Sequence, residues 1–447
     1  MKRLLLLTFG SVFLIQGCVQ DILEGDQVDF QLESAIRATS PTGLDYFILP
    51  QSNDFAAIPQ DPKNPLTEEK VQLGQFLFFE TGLGVEPMQP VGMQTYSCSS
   101  CHIPSADFKS GRKQGIGDGG VGFGFNGESR IKNEAYEEFE MDVQGVRPLN
   151  VLNLAFSAKN TLWNGQFGAT GANEGTEDMW GVLDERTATN HLGYEGDVAT
   201  IIEALDIHRL IISKEVLDDL GYTSYFDAIF PEFPEDKRYT RETASLALAA
   251  YLRTLMTTEA PFQRWLKGDL LALSEQEKRG ALLFFTDANC TSCHSSPAFS
   301  ATKFFAVGVN DLNMQVSFNE GPATNQRNSG RGGFTGKEED MFKFKVPTLY
   351  NLDGTPFYFH GSSKRSIREV VEYFNKAVPE NPNVPKERIA AEFKPLYLTE
   401  EEIDDMVAFL QYGLKDRNVE RYQPSSLPTG SCFPNADWKS RRDLGCE

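Results

Sequence analysis

Two five-residue stretches carry the most specific chemistry in this sequence: Cys98-Ser99-Ser100-Cys101-His102 and Cys290-Thr291-Ser292-Cys293-His294. Two thiols separated by two residues can reach the two vinyl groups of one porphyrin, while the adjoining His turns its imidazole onto the iron. Each stretch therefore fits the attachment of a c-type haem. A zinc site would need further Cys or His close by, and both motifs stand alone. The implied cofactors are two covalent haems, one on Cys98, Cys101 and His102 and one on Cys290, Cys293 and His294. The chain has five His, so only His191, His208 and His360 remain for a second ligand to either iron. His208 sits in the apolar helical pattern of residues 201–212, where a structural hydrogen bond is the simpler role.

The elements that must hold these motifs repeat as well. Leu66-Thr67-Glu68-Glu69 opens a helix ending near Leu77-Phe78-Phe79, and Leu273-Ser274-Glu275-Gln276-Glu277 opens another ending near Leu283-Phe284-Phe285. A hydroxyl N-cap followed by acidic residues suits both helix starts, and Ser274 with Glu277 makes a capping box. Each of these helices leads into a Cys-Cys-His motif. A closing helix is expected after each, over residues 241–256 and over 399–414, the latter opened by Thr399 with Glu402. The expectation is a mainly α protein of two helical units of one design. Gly and Pro scattered between the helices, and a Gly-rich run over 115–127, predict long loops and few strands.

Of 447 residues, 42 are Lys or Arg and 63 Asp or Glu, a formal net charge of -21. With no Lys/Arg run to neutralise phosphates, nucleic acid is excluded as a partner, and a basic partner fits better. Met1-Lys2-Arg3 followed by an apolar run to Ile15 reads as a secretory signal. Leu14-Ile15-Gln16-Gly17-Cys18 resembles the lipobox of bacterial lipoproteins, which makes Cys18 the lipidation site. Val19 after it favours the outer membrane, on its periplasmic side or at the cell surface. In that oxidising compartment Cys432 and Cys446 are expected to pair rather than stay as free thiols. The division expected is a signal peptide over 1–18, a tether over 19–53, a first haem domain over 54–265, a second over 266–425, and a disulfide-closed tail over 426–447.

From residue 66 to 414 the sequence resembles the bacterial di-haem cytochrome c peroxidases and their relative MauG. The resemblance rests on Leu73-Gly74 with Leu77-Phe78-Phe79, on Leu162-Trp163-Asn164-Gly165, and on Leu282-Leu283-Phe284-Phe285. It rests also on Phe344-Lys345-Val346-Pro347-Thr348-Leu349 leading to Pro356-Phe357-Tyr358-Phe359-His360-Gly361. It implies two cytochrome c-like domains, the N-terminal haem meeting peroxide and the C-terminal haem receiving electrons. Trp163 would lie between the haems. The family's calcium would take carbonyl oxygen from Thr355 and the Phe357 backbone, although Arg147-Pro148 stands where its Asn ligand belongs, with Asn150 nearby. His360 would serve the inter-haem region, by hydrogen bonding or in catalysis. Glu195 is the first choice for the group that moves a proton on peroxide, and His191 the second.

Two departures from the family matter. Residues 103–150 hold no His, so the second ligand found there in many of these peroxidases is missing and the N-terminal haem should stand open. Phe374 takes the place of the family's Met, or of the Tyr in MauG; Tyr373, Met314 and Met341 are the nearby alternatives. The activity implied is reduction of hydrogen peroxide, with electrons from a small cytochrome c or cupredoxin, a basic one suiting the acidic chain. A MauG-like oxidase acting on a protein or organic substrate is the second reading and a pure electron-transfer cytochrome the third. A homodimer is compatible with all three.

Overall fold

Thr67 and Ser274 do what their sequence context demands. Thr67 Oγ1 accepts from the Lys70 N–H and Ser274 Oγ from the Glu277 N–H, each at 3.3 Å, opening the motif helices Glu68–Phe79 and Glu275–Phe285. The closing helices are Arg241–Arg253 and Glu400–Ala408, the second capped by Thr399 and extended by a π-helical turn over Phe409–Gly413. In this computed structural model, which describes residues 16–314, 318 and 326–446, each motif helix crosses its closing helix at a glycine. A Cβ on Gly74 would lie 2.0 Å from the Ala247 carbonyl oxygen, and one on Gly280 would lie 2.0 Å from that of Asp405. No larger residue permits such approaches, so the backbones touch and the flanking side chains interlock. The internal echo seen in the sequence is a physical repeat.

Each crossing is the centre of an apolar core. The first gathers Leu73, Leu77, Phe78, Phe79, Phe108, Leu248 and Tyr251; the second is built on Phe262, Phe284, Phe285, Phe299, Tyr350 and Phe409. Strand content is small: Gly120–Val121 pairs antiparallel with Ile131–Lys132, and Ala301–Phe305 with Phe344–Val346. Among the described residues no helix is long and apolar enough to cross a membrane.

The domain limits differ from those read in the sequence. The stretch expected to be a tether is packed: Leu32 and Ile36, on the helix Gln16–Thr39, and Phe47 and Leu49 are buried in the second core. Asp29 fixes that helix by accepting from Trp265 Nε1 at 2.7 Å and from Lys278 Nζ at 2.9 Å. Residues from Ala260 to Leu266 belong to the second core, which places the boundary before them. At the other end Val419, Tyr422 and Leu427 join the first core. The chain thus returns to its first domain earlier than 426, because these apolar side chains find their burial there. The secretory segment and lipobox expected over residues 1–18 fall outside what is described, Cys18 by its side chain.

Candidate haem sites and the junction between them

The two Cys-Cys-His motifs fold alike. Cys98–Ser100 and Cys290–Ser292 each form one tight turn, and the His N–H returns to the carbonyl of the first Cys, at 3.2 Å for His102 and 2.9 Å for His294. His102 Nδ1 donates to the Phe108 carbonyl at 3.1 Å and His294 Nδ1 to the Phe299 carbonyl at 2.7 Å. Both Phe residues sit in left-handed backbone, φ 54° and 50°, a conformation a bulky residue holds only under constraint. With Nδ1 so committed, Nε2 is the nitrogen left for iron in both sites. Burial pushes both imidazoles down to about 4, which keeps them neutral as a ligand must be. Cys98, Cys101, Cys290 and Cys293 are free of disulfides, and burial pushes the Cys98, Cys101 and Cys290 thiols up to about 12. Each motif thus offers two unbonded thiols and an oriented, half-buried imidazole, and the residues fit a covalent haem at both sites.

Between the domains lies a network built on Trp163 and Arg147. Trp163 Nε1 donates to the Arg147 carbonyl at 2.7 Å, and its own carbonyl accepts from the Lys345 N–H at 2.8 Å. The Arg147 N–H donates to the His360 carbonyl at 2.8 Å. His360 is 1% exposed; its Nε2 meets Asp311 Oδ1 at 2.9 Å, its ring stacks on Phe344 at 3.7 Å, and the Trp163 ring centroid is 6.2 Å away. His360 is therefore placed at the junction but engaged with a carboxylate. Thr355 and Phe357, read as calcium donors, surround the Arg147 side chain. The guanidinium donates to Thr355 Oγ1 at 2.5 Å and stands 5.3 Å from the Phe357 ring centroid.

The two proton-moving candidates are separated by environment. Glu195 is buried, and its Oε2 accepts from Arg253 at 2.7 Å, while the same guanidinium grips Asp197. The Glu195 N–H donates to Asp61 at 2.7 Å. Burial raises the Glu195 carboxyl above the usual range even with Arg253 beside it. His191 is exposed and packs edge-on against Trp180 at 5.0 Å. His208 caps the helix Gly196–Ile207 and pairs with Asp142 at 2.8 Å. In the segment where a sulfur ligand was sought, Tyr373 donates its hydroxyl to the Val307 carbonyl at 2.6 Å and Phe374 packs against Phe393, ring centroids 5.5 Å apart. Met314 is 39% exposed, and Met341 packs beside Gly332. Cys432 and Cys446 are joined by a disulfide.

Sequence reasoning passed over Arg253 and the Arg147 side chain. Neither lies in a motif, and the only hint for Arg147 is that it stands where the resemblance calls for a metal ligand. Residues 68–270 match the family model described as di-haem cytochrome c peroxidase. The methylamine utilization protein MauG of Methylorubrum extorquens is 29% identical over 362 residues, covering 79% of this chain and 81% of that protein. The cytochrome-c peroxidase IdrP1 of Denitromonas iodatirespirans is 26% identical, covering 81% and 86%. Among solved structures, a MauG-like protein associated with microbial copper homeostasis superposes with a TM-score of 0.54 at 24% identity, over 83% of this chain and 95% of that one. That likeness is one of fold.

Proposed function

We propose, for a chain that carries a di-haem cytochrome c peroxidase domain, that it reduces hydrogen peroxide to water with electrons from a small periplasmic cytochrome c or cupredoxin. The observation that carries this reading is the disposition of the three His outside the motifs. His208 is held by Asp142, His360 by Asp311, and His191 lies at the surface against Trp180. Asp311 takes the Nε2 of His360 and His191 is at the surface, so of the three only His208, bonded to Asp142 through Nδ1, keeps an uncommitted Nε2; residues 103–150 hold no His, and the N-terminal iron would on that ground be open to peroxide. A pure electron-transfer role, which wants both faces ligated, is correspondingly disfavoured.

Bound haem iron supplies the redox chemistry; the chain supplies position and protons. His102 and His294 would hold the two irons through Nε2, their tautomers set by the Phe108 and Phe299 carbonyls. Glu195 is the group proposed to move the proton from the inner to the outer peroxide oxygen. Its burial, which raises the carboxyl above the usual range, suits a group that must take up and release a proton. Arg253 and Asp61 fix its place. Trp163, fixed at both its indole N–H and its carbonyl, is proposed to shorten the electron path between the domains. The excess of acidic residues favours docking of a basic donor. A lipid on Cys18 would hold the chain at the periplasmic side of the outer membrane or at the cell surface.

Stopped-flow mixing of the reduced holoprotein with hydrogen peroxide tests the reading. Rapid reoxidation is expected, followed by turnover when a basic cytochrome c or cupredoxin is added. Glu195→Gln should lower turnover by about 10²; an unchanged rate would pass the role to His191 or to another residue. Absence of any peroxide reaction in the wild type would favour the second reading, a MauG-like oxidase of a protein or organic substrate. The engaged Tyr373 and Phe374, which offer no sulfur ligand, give that reading its support.

A further inference from the structure

Arg147 is 3% exposed and, among the described residues, has no carboxylate within ion-pair distance. A desolvated charge without a counter-ion persists only where strong dipoles replace water. Here those dipoles come from both halves of the molecule. The guanidinium donates to the carbonyls of Arg112 at 2.9 Å and Ser110 at 3.4 Å from the first domain, and to Thr355 Oγ1 at 2.5 Å from the second. It also faces the Phe357 ring, whose centroid lies 4.0 Å from a second guanidinium, Arg365. Neutral oxygens converging on one point are the donor chemistry of a hard divalent cation, but that point already holds a fixed positive charge. A calcium ion placed among Thr355 and its neighbours would meet like charge, and the carboxylate beside Gly354, that of Asp107, is already committed to Lys415 and Asn351, so calcium does not fit this junction.

We propose that Arg147 is the resident cation of the junction, a side chain standing in for a divalent ion, and that by anchoring itself it positions Trp163. The coupling is through its own main chain. The Arg147 carbonyl accepts the Trp163 indole N–H, and its N–H reaches the His360 carbonyl, so the residue that the guanidinium locks is the one on which the indole rests. Arg147 is thus a positioning residue for the path between the domains, and it frees the junction from any dependence on metal supply.

The test uses the holoprotein. After desalting, elemental analysis should find well under one calcium per chain, and a chelator such as EGTA should leave the thermal midpoint unmoved. Arg147→Ala should lower the midpoint by roughly 5 °C or more, and added calcium should restore part of that loss in the variant while doing nothing for the wild type. Removal of the buried charge should also lower the reduction potential of at least one haem, because a nearby cation favours the reduced form; Arg147→Lys should keep most of the potential. Stoichiometric calcium in the wild type, a chelator-induced fall in its midpoint, or an Arg147→Ala protein with unchanged midpoint and potentials would each overturn the proposal. If Arg147→Ala yields no holoprotein, the wild-type calcium content and the Arg147→Lys potentials decide.

Discussion

Tyr373 and Phe374 occupy the place where a soft ligand was sought, and both are spent on packing. The Tyr373 hydroxyl is committed to the Val307 carbonyl, and both rings pack against Phe393. The wild type should therefore show no near-infrared thioether-to-iron charge-transfer band in its oxidised form. Phe374→Met should introduce that band and raise the potential of the C-terminal haem, since sulfur ligation stabilises the reduced iron. A band in the wild type that survives Met314→Leu and Met341→Leu together would mean that another Met is bound. At this scale the two Cys-Cys-His motifs stand out in the sequence, because covalent haem attachment would fix Cys and His at one spacing. Glu195 was legible only as a polar residue after Trp163. Its partner Arg253 lies 58 positions away, and no local pattern announces a contact made by folding.

The motif helices and their caps could be read directly, since a hydroxyl followed by acidic residues suits a helix start wherever it occurs, and after Ser274 the Glu three residues on completes a capping box. What could not be read was which face of each helix meets its neighbour, and the two glycines answer that. Gly74 and Gly280 each precede the second Phe of the Phe-Phe pair by five residues, and each meets a carbonyl of the closing helix. Gly74→Ala and Gly280→Ala should each cost about 1–3 kcal/mol through overpacking, more than the gain in helix propensity returns. Differential scanning calorimetry would check this, and a variant as stable as the wild type would mean that the helices can slide apart without loss. The helix Gln16–Thr39 escaped detection for the opposite reason. Its buried contacts over the described side chains are few and spaced one turn apart, as at Leu32 and Ile36. Its anchor is polar, Asp29 reaching Trp265 and Lys278 far along the chain.

On the scale of the whole molecule, the chain crosses between its two cores more than once. It begins its described course on the second core, builds the first, completes the second, and returns to brace the first haem turn. In that return Ser97 donates to the Pro434 carbonyl at 2.8 Å, Ser100 bonds Asn435, Phe79 meets Phe433, and Arg130 forms a buried ion pair with Asp437 at 3.2 Å. Removing residues 429–447 should lower the thermal midpoint of the first domain far more than that of the second. Cys432→Ser, which opens a loop of sequence separation 14, should cost about 3 kcal/mol at most. Equal loss in both domains on calorimetry would refute the local clasp. The sequence could show two copies of one design but not this exchange of segments, because burial of Val419, Tyr422 and Leu427 in the first core depends on three-dimensional neighbours.

The return of the tail also sets an order of events during biogenesis. Residues 429–446 leave the ribosome after both haem motifs, so the turn around Cys98 and Cys101 is complete in sequence long before its brace exists. If the chain is exported, six thiols, those of the two motifs and of Cys432 and Cys446, would meet oxidant together, and in this fold only the last two are joined. A wrong pairing is closest at hand in the first domain, where the clasp brings Cys432 to the same neighbourhood as the motif. A sequential order would avoid it: haem joined to Cys98 and Cys101 while the clasp is still open, and Cys432 oxidised with Cys446 afterwards, closing over a turn with no free thiol left to exchange.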